Sequence, residues 1–255
     1  MLSVDKGMLS LDKKVIDMFS KIIEDASRVT AEADSSIYFL KSAILDHQSF
    51  EELISHNLFS EAQKRIPESV DYKKIFTDYV SSNTDALNLM VEDLKATYTK
   101  DPACNYYYEP IVFLKGFKAL QIHRIGSWFW SRGDRFLPLL LQSIVSELYQ
   151  VDIHPSVSFG KAIFIDHATN LVIGKNVSIG SEVSILHSVS ILSDGDGAEG
   201  KIIIEDNVLV SAGSCVIGDL VLGNNSKVGA GSFINANVLP KSTVVGVPMK
   251  SILSS

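Results

Sequence analysis

The side chains of this sequence best able to move a proton at neutral pH are its six histidines, and those able to act as soft nucleophiles or metal ligands are its two cysteines. A neutral imidazole whose pKa lies near the working pH can take the proton of a hydroxyl as that oxygen attacks an electrophile. His167 sits in the run Ile165-Asp-His-Ala-Thr-Asn170, directly after a carboxylate. Alone, a histidine in such a run reads as a turn residue satisfied by its neighbours. His47, His56, His123 and His187 read as packing or surface residues, and His154 as structural. Cys104 and Cys215 have neither metal-ligand spacing nor redox pairing, so they read as reduced packing cysteines and no metal is expected.

The element that must position these groups is a six-residue beat in the last hundred residues. One residue in six gives Ile153, Phe159, Ile165 and Leu171, then, after a two-residue slip, Ile173, Ile179, Ile185 and Ile191. After an interruption it gives Ile204, Val210, Val216, Leu222, Val228 and Ile234. Gly, Ser, Ala and Asn crowd the positions between. Neither the helix period nor a two-residue alternation fits, whereas a parallel β-helix does: each hexad forms a short strand and a turn, and every sixth side chain points into a stacked core. The spacing predicts about five coils, with a loop excursion over 193–201.

Residues 1–100 carry helical spacing instead. Leu11, Val15, Met18, Phe19, Ile22 and Ile23 share one face, and Tyr38, Leu40, Ala43 and Ile44 share another after a turn near 34–36. Further amphipathic stretches cover 49–61, 69–82 and 88–100, and Asp101-Pro102 ends the last of them. A loop with three tyrosines leads to Pro110, a helix pair is expected over 111–130 and a last helix over 136–149. The fold class is therefore α+β: an α-helical domain over 1–150 and a β-helix over 151–255, packed rigidly because no Gly/Ser-rich linker divides them.

With 46% hydrophobic and 21% charged residues and a net charge of −7, the chain has the composition of a soluble globular protein. No basic face for nucleic acid is visible. The greasiest run, Phe136-Leu-Pro-Leu-Leu-Leu141, is too short to span a bilayer, and Met-Leu-Ser-Val-Asp-Lys6 is not a signal peptide. A cytoplasmic protein without membrane or nucleic-acid partners is expected.

Five motifs carry a resemblance. Thr99-Lys-Asp-Pro-Ala, Phe113-Leu-Lys-Gly-Phe-Lys-Ala-Leu-Gln, Arg124-Ile-Gly-Ser-Trp-Phe-Trp, Val151-Asp-Ile-His-Pro and Ile165-Asp-His-Ala-Thr-Asn follow one another as they do in serine acetyltransferases. Over residues 90 to 250 the chain resembles that family; the first ninety match it only in being helical. The resemblance implies a left-handed β-helix and transfer of acetyl from the co-substrate acetyl-CoA to the hydroxyl of L-serine, the step that commits serine to cysteine synthesis. It implies His167 as general base and Asp152 as the carboxylate that orients it; fifteen residues is close to one coil of eighteen, so the two are expected within reach on neighbouring coils. It implies Asp101 and Asp166 as contacts of the serine amino group, and Ala212 and Ala230 as corners where the backbone meets acetyl-CoA in a groove between two prisms. It also implies a homotrimer, or a dimer of trimers pairing through the helical domain.

The sequence departs from the family after Ile191. There the family has Gly-Gly-Thr-Gly and then Asp-Arg-His-Pro-Lys-Ile, and its Arg holds the serine carboxylate. This chain reads Leu192-Ser-Asp-Gly-Asp-Gly-Ala-Glu-Gly-Lys-Ile202, with neither the Arg nor the second His. Losing one charge-assisted hydrogen bond costs roughly 1.5–3 kcal/mol, and Asp194, Asp196 and Glu199 would repel a carboxylate. Lys201 is the cation left to replace the Arg. Three readings stay open: Lys201 substitutes, the acceptor is a sugar or another hydroxylated metabolite, or the chain is a weak or non-catalytic relative. The family's tail ending in Ile, which docks on the sulfhydrylase of cysteine synthesis, is also absent, and this counts against that complex.

Overall fold

The computed structural model describes residues 12–32, 34–65, 70–194 and 200–252. Leu11, Asp196, Glu199 and the last three residues, on which some of these expectations rest, lie outside the described residues.

Among the described residues eight α-helices precede the strands: α1 (Lys13–Glu32), α2 (Asp34–Leu40), α3 (Phe50–Phe59), α4 (Tyr72–Ser82), α5 (Ala86–Lys100), α6 (Tyr108–Val112), α7 (Lys115–Ser131) and α8 (Phe136–Tyr149). Local chemistry sets several of their ends. The Ser49 hydroxyl accepts from Glu52 N at the start of α3, and the Asp71 carboxylate accepts from Lys73 N and Lys74 N at the start of α4. Asp101-Pro102 stops α5, and Gln150 in the left-handed region stops α8. Two expectations are corrected. The turn near 34–36 is instead the first turn of α2, and the helix pair over 111–130 is one long helix, α7, behind the short α6. Pro110 falls in the first turn of α6, where its missing N–H costs nothing.

Fifteen strands follow among the described residues. The first coil is β1 (Val151–Ile153), β2 (Ser158–Phe159) and β3 (Phe164–Ile165); the second is β4 (Leu171–Ile173), β5 (Val177–Ile179) and β6 (Ser184–Ile185). The third is β7 (Ser190–Leu192), β8 (Ile202–Ile204) and β9 (Leu209–Val210), the fourth β10 (Cys215–Ile217), β11 (Leu220–Leu222) and β12 (Lys227–Val228). β13 (Phe233–Ile234), β14 (Thr243–Val245) and β15 (Lys250–Ile252) close the described chain. Each strand pairs in parallel with its counterpart one coil on, giving three sheets in the orders β1-β4-β7-β10-β13, β11-β8-β5-β2 and β15-β14-β12-β9-β6-β3; only β15 is antiparallel. The result is a three-sided prism. Every apolar residue of the six-residue beat is buried inside it except Phe159, which is half-buried. Corners are turned by non-glycine residues at positive φ, among them Asn207 and Asn225, whose side-chain amides bond to one another at 2.8 Å one coil apart.

The helical part is latched to the first two coils by polar contacts. Asp93 on α5 and Arg124 on α7 pair in the interior, and Arg124 also donates to Phe159 O and Gly160 O. Lys100 Nζ, at the end of α5, donates to Glu182 O at 2.7 Å and Ser184 Oγ at 3.1 Å. Among the described residues, no helix is long and apolar enough to cross a membrane.

Candidate active site

His167 stands at the corner where the third sheet turns into the first. Ile165 pairs with Ile185, twenty residues on, whereas Ile173 pairs with Ile191, eighteen residues on. The first coil therefore holds two more residues than the second, and they fall between β3 and β4, where His167 sits. This is the two-residue slip in the hexad beat. The extra length is folded into a tight bulge: His167, Ala168 and Asn170 all have φ between 56° and 59°. Such angles are costly away from glycine and persist where neighbours over-determine the backbone. Ala168 N donates to Asp166 O, Thr169 N to His167 O, and Ser188 N to Thr169 O.

The bulge lifts His167 outward, leaving its side chain 72% accessible, with Asp166 Oδ1 3.8 Å from Nε2. Its ring also meets that of His187 edge-on, with centroids 5.5 Å apart. His187 follows Ile185 as His167 follows Ile165, so the two imidazoles share one column of the corner. The buried Nδ1 of His187 has no hydrogen-bond partner among the described residues. Reading His187 as a packing residue missed this contact; the signal available in the sequence was its twenty-residue spacing from His167, one lengthened coil.

Ala212 and Ala230 continue the same column. Val210 pairs with Val228, Gly231 N donates to Ala212 O, and Gly213 N donates to His187 O. Ala212 is half-buried and Ala230 exposed, both beside glycines at positive φ, so the backbone there is open to a ligand lying along the corner.

The other sequence-derived site residues are placed elsewhere. Asp152 lies on the outer side of β1, opposite Val172, and its Oδ1 accepts from Gln142 Nε2 at 2.6 Å. It borders an open hollow of about 480 Å3 lined by Leu139, Gln142, Ser143, Ser146 and Glu147. No hydrogen bond joins Asp152 to His167 in this chain, so the expected pairing on neighbouring coils is not formed. Asp101 follows Lys100 at the end of α5, against the strand that leads to His187, and its carboxylate accepts from Ala103 N. Lys201 is exposed at the corner between the first and second sheets, its N–H donating to Asp219 Oδ1, one corner away from His167. Among the described residues, no group of three or more His, Cys, Asp and Glu is placed to hold a metal ion.

Stacked hexads closing a three-sided prism behind a helical part are the architecture of the bacterial transferase hexapeptide-repeat proteins. The family model for the N-terminal part of serine acetyltransferases matches residues 18–122. A serine acetyltransferase of Buchnera aphidicola is 37% identical over 221 residues, covering 84% of this chain and 79% of its own length. That of Escherichia coli K12 is 33% identical over 215 residues with the same coverage. Among solved structures, Brucella abortus serine acetyltransferase in complex with coenzyme A superposes with a TM-score of 0.86 at 31% identity, over 94% of this chain and 96% of the other. Soybean serine acetyltransferase complexed with serine gives 0.86 at 33% identity, over 94% and 100%. The chain belongs to the serine acetyltransferase family.

Proposed function

We propose that this protein transfers the acetyl group of acetyl-CoA to the hydroxyl of L-serine, giving O-acetylserine for cysteine synthesis. The observation that carries the reading is the exposed His167 imidazole, raised on a bulge beside Asp166 and in column with the open corners Ala212 and Ala230. Family membership and the coenzyme A and serine complexes of its relatives support it.

In the proposed reaction the neutral His167 imidazole takes the serine hydroxyl proton as the oxygen attacks the thioester carbonyl carbon. The tetrahedral intermediate collapses with cleavage of the C–S bond, and the imidazolium returns its proton to the leaving thiolate. Acetyl-CoA lies along the corner at Ala212 and Ala230. Asp101 and Asp166 hold the serine ammonium, and Lys201 holds its carboxylate.

Asp152 bonds to Gln142 rather than to His167, and Lys201 stands one corner away from His167, which favours a set completed by a neighbouring chain. We assign the active unit to a homotrimer in which the His167 corner of one left-handed prism meets the Asp152 face and the Lys201 corner of the next. The neighbour's carboxylate then fixes the imidazole tautomer and stabilises the imidazolium. In this reading the division at residue 150 separates an assembly and acceptor-binding domain from the acyltransferase domain, and the protein works in the cytoplasm.

The test is release of free thiol from acetyl-CoA with L-serine, other hydroxylated amino acids and sugars as acceptors, with the product weighed by mass spectrometry. Serine-dependent release with O-acetylserine as product supports the reading. Release with a sugar alone, or with no acceptor, rejects it.

A further inference from the structure

The bulge that carries His167 is not held by the β-helix alone. The Lys115 ammonium, at the first residue of α7, donates to Thr169 Oγ1 at 2.5 Å across the junction between the helical part and the prism. Thr169 is the one bulge residue of the run His167–Asn170 without a positive φ. It is also the residue through which the bulge is tied on every side. Its N–H donates to His167 O at 2.8 Å, its hydroxyl lies 3.4 Å from the same oxygen, and its carbonyl accepts from Ser188 N at 2.7 Å. The next residue of α7, Gly116, lies so close to the bulge's leading strand that a Cβ there would clash with the Ile165 carbonyl oxygen. The first turn of α7 is therefore pressed against Ile165 while Lys115 reaches past it to the far side of the bulge.

Left-handed angles at His167 and Ala168 are each unfavourable by roughly 1–2 kcal/mol for L-residues. A backbone held in that state relaxes if its restraints are removed, and the side chain that moves first is the exposed one, His167. Ser188 N and the sheet ladder restrain the bulge from the prism side. Lys115 is the restraint from the helical side.

We propose that Lys115 is a positioning residue, acting through Thr169 to hold the His167 imidazole at the height and angle the acyl transfer requires. The proposal rests on His167 being the base. Lys115 itself touches neither substrate nor reacting atoms, so its removal affects the chemical step and leaves binding of acetyl-CoA along the Ala212–Ala230 corner in place.

The test compares Lys115→Met, Thr169→Val and Thr169→Ser in the full chain. A misplacement of about 1 Å costs on the order of 100-fold, so Lys115→Met and Thr169→Val are expected to lower kcat by about 10- to 100-fold with KM for acetyl-CoA within about twofold. The pair of substitutions together should cost no more than either alone, because both break one contact. Thr169→Ser, which keeps the hydroxyl, should retain wild-type kcat. Hydrogen–deuterium exchange supplies a readout independent of catalysis: peptides covering 166–171 should exchange faster in Lys115→Met and Thr169→Val while the later coils are unchanged. Faster exchange without any acetyl transfer by the wild type would leave the clamp standing and remove the functional reading beneath it. A kcat within threefold of wild type in both Lys115→Met and Thr169→Val, additive losses in the double variant, or unchanged exchange over 166–171 would overturn the proposal.

Discussion

Arg124 grips Asp93 with two nitrogens, Nε at 2.8 Å from Oδ2 and Nη2 at 3.0 Å from Oδ1, and the carboxylate is wholly closed off from solvent. Gln121 Nε2 and Ile163 N complete the carboxylate's bonds, and Phe159 O and Gly160 O of the first coil accept from Arg124 Nη1 and Nη2. Geometry this complete offsets the desolvation of two charges, but removing one partner strands the other. Asp93→Asn and Arg124→Met are each expected to lower the free energy of unfolding by about 3–5 kcal/mol. Urea denaturation at fixed protein concentration checks this, and a loss under about 1 kcal/mol, the scale of a surface pair, would contradict it.

His123 gives the fold a pH dependence of known sign. Burial holds its imidazole down to about 4, and the ring faces Val157 O at 3.0 Å from Nε2. The folded chain keeps the ring neutral, while the unfolded chain protonates it below its ordinary value near 6.5. The unfolded state therefore binds more protons between those values. Stability from this group is full above 6.5, declines as pH falls and stops declining near 4, a total of roughly 2–4 kcal/mol. In His123→Gln the difference from wild type should shrink across that window. Parallel stability curves for the two proteins would refute it.

Lys201 carries the specificity question. A single flexible ammonium clamps a carboxylate less well than a planar guanidinium that can bond both oxygens. KM for serine should be high and rise with salt, and Lys201→Ala should raise it further with little change in kcat. Serine methyl ester, lacking the negative charge, should compare more favourably with serine here than in relatives that keep the Arg. A low serine KM untouched by Lys201→Ala would show that another residue holds the carboxylate.

The proposed sharing of the site between protomers predicts complementation. Asp152→Ala and His167→Ala chains mixed equally in one trimer leave about one site in four with both groups intact. Co-assembled protein should reach roughly that fraction of wild-type activity, well above the mean of the two parents. Activity equal to that mean would place the pair within a single chain.

The prism was legible because its core residues recur at a fixed interval, and burial of one aliphatic per hexad leaves few other ways to fold. Even the slip between Leu171 and Ile173 was visible, though its meaning was not: a break in a beat marks extra chain, and only coordinates reveal that the extra chain lifts His167. Helix ends were less legible where no cap or proline marks them, as at 34–36 and 111–115. The partners of Thr169 and Asp93 were hidden for a different reason. Lys115 lies 54 positions from Thr169 and Asp93 lies 70 from Ile163, and such pairs follow from packing between the two halves, which has no period along the chain. Asp152 shows the reverse: fifteen residues suggested a bond to His167, but its carboxylate accepts instead from Gln142 on α8.

The central claim, that His167 is the proton acceptor, is tested most directly by measuring acetyl transfer to serine in His167→Ala alongside acetyl-CoA binding by calorimetry. The account predicts kcat lower by about 10²- to 10⁴-fold with the affinity for acetyl-CoA nearly unchanged. Turnover within a factor of three of wild type would remove His167 from the mechanism.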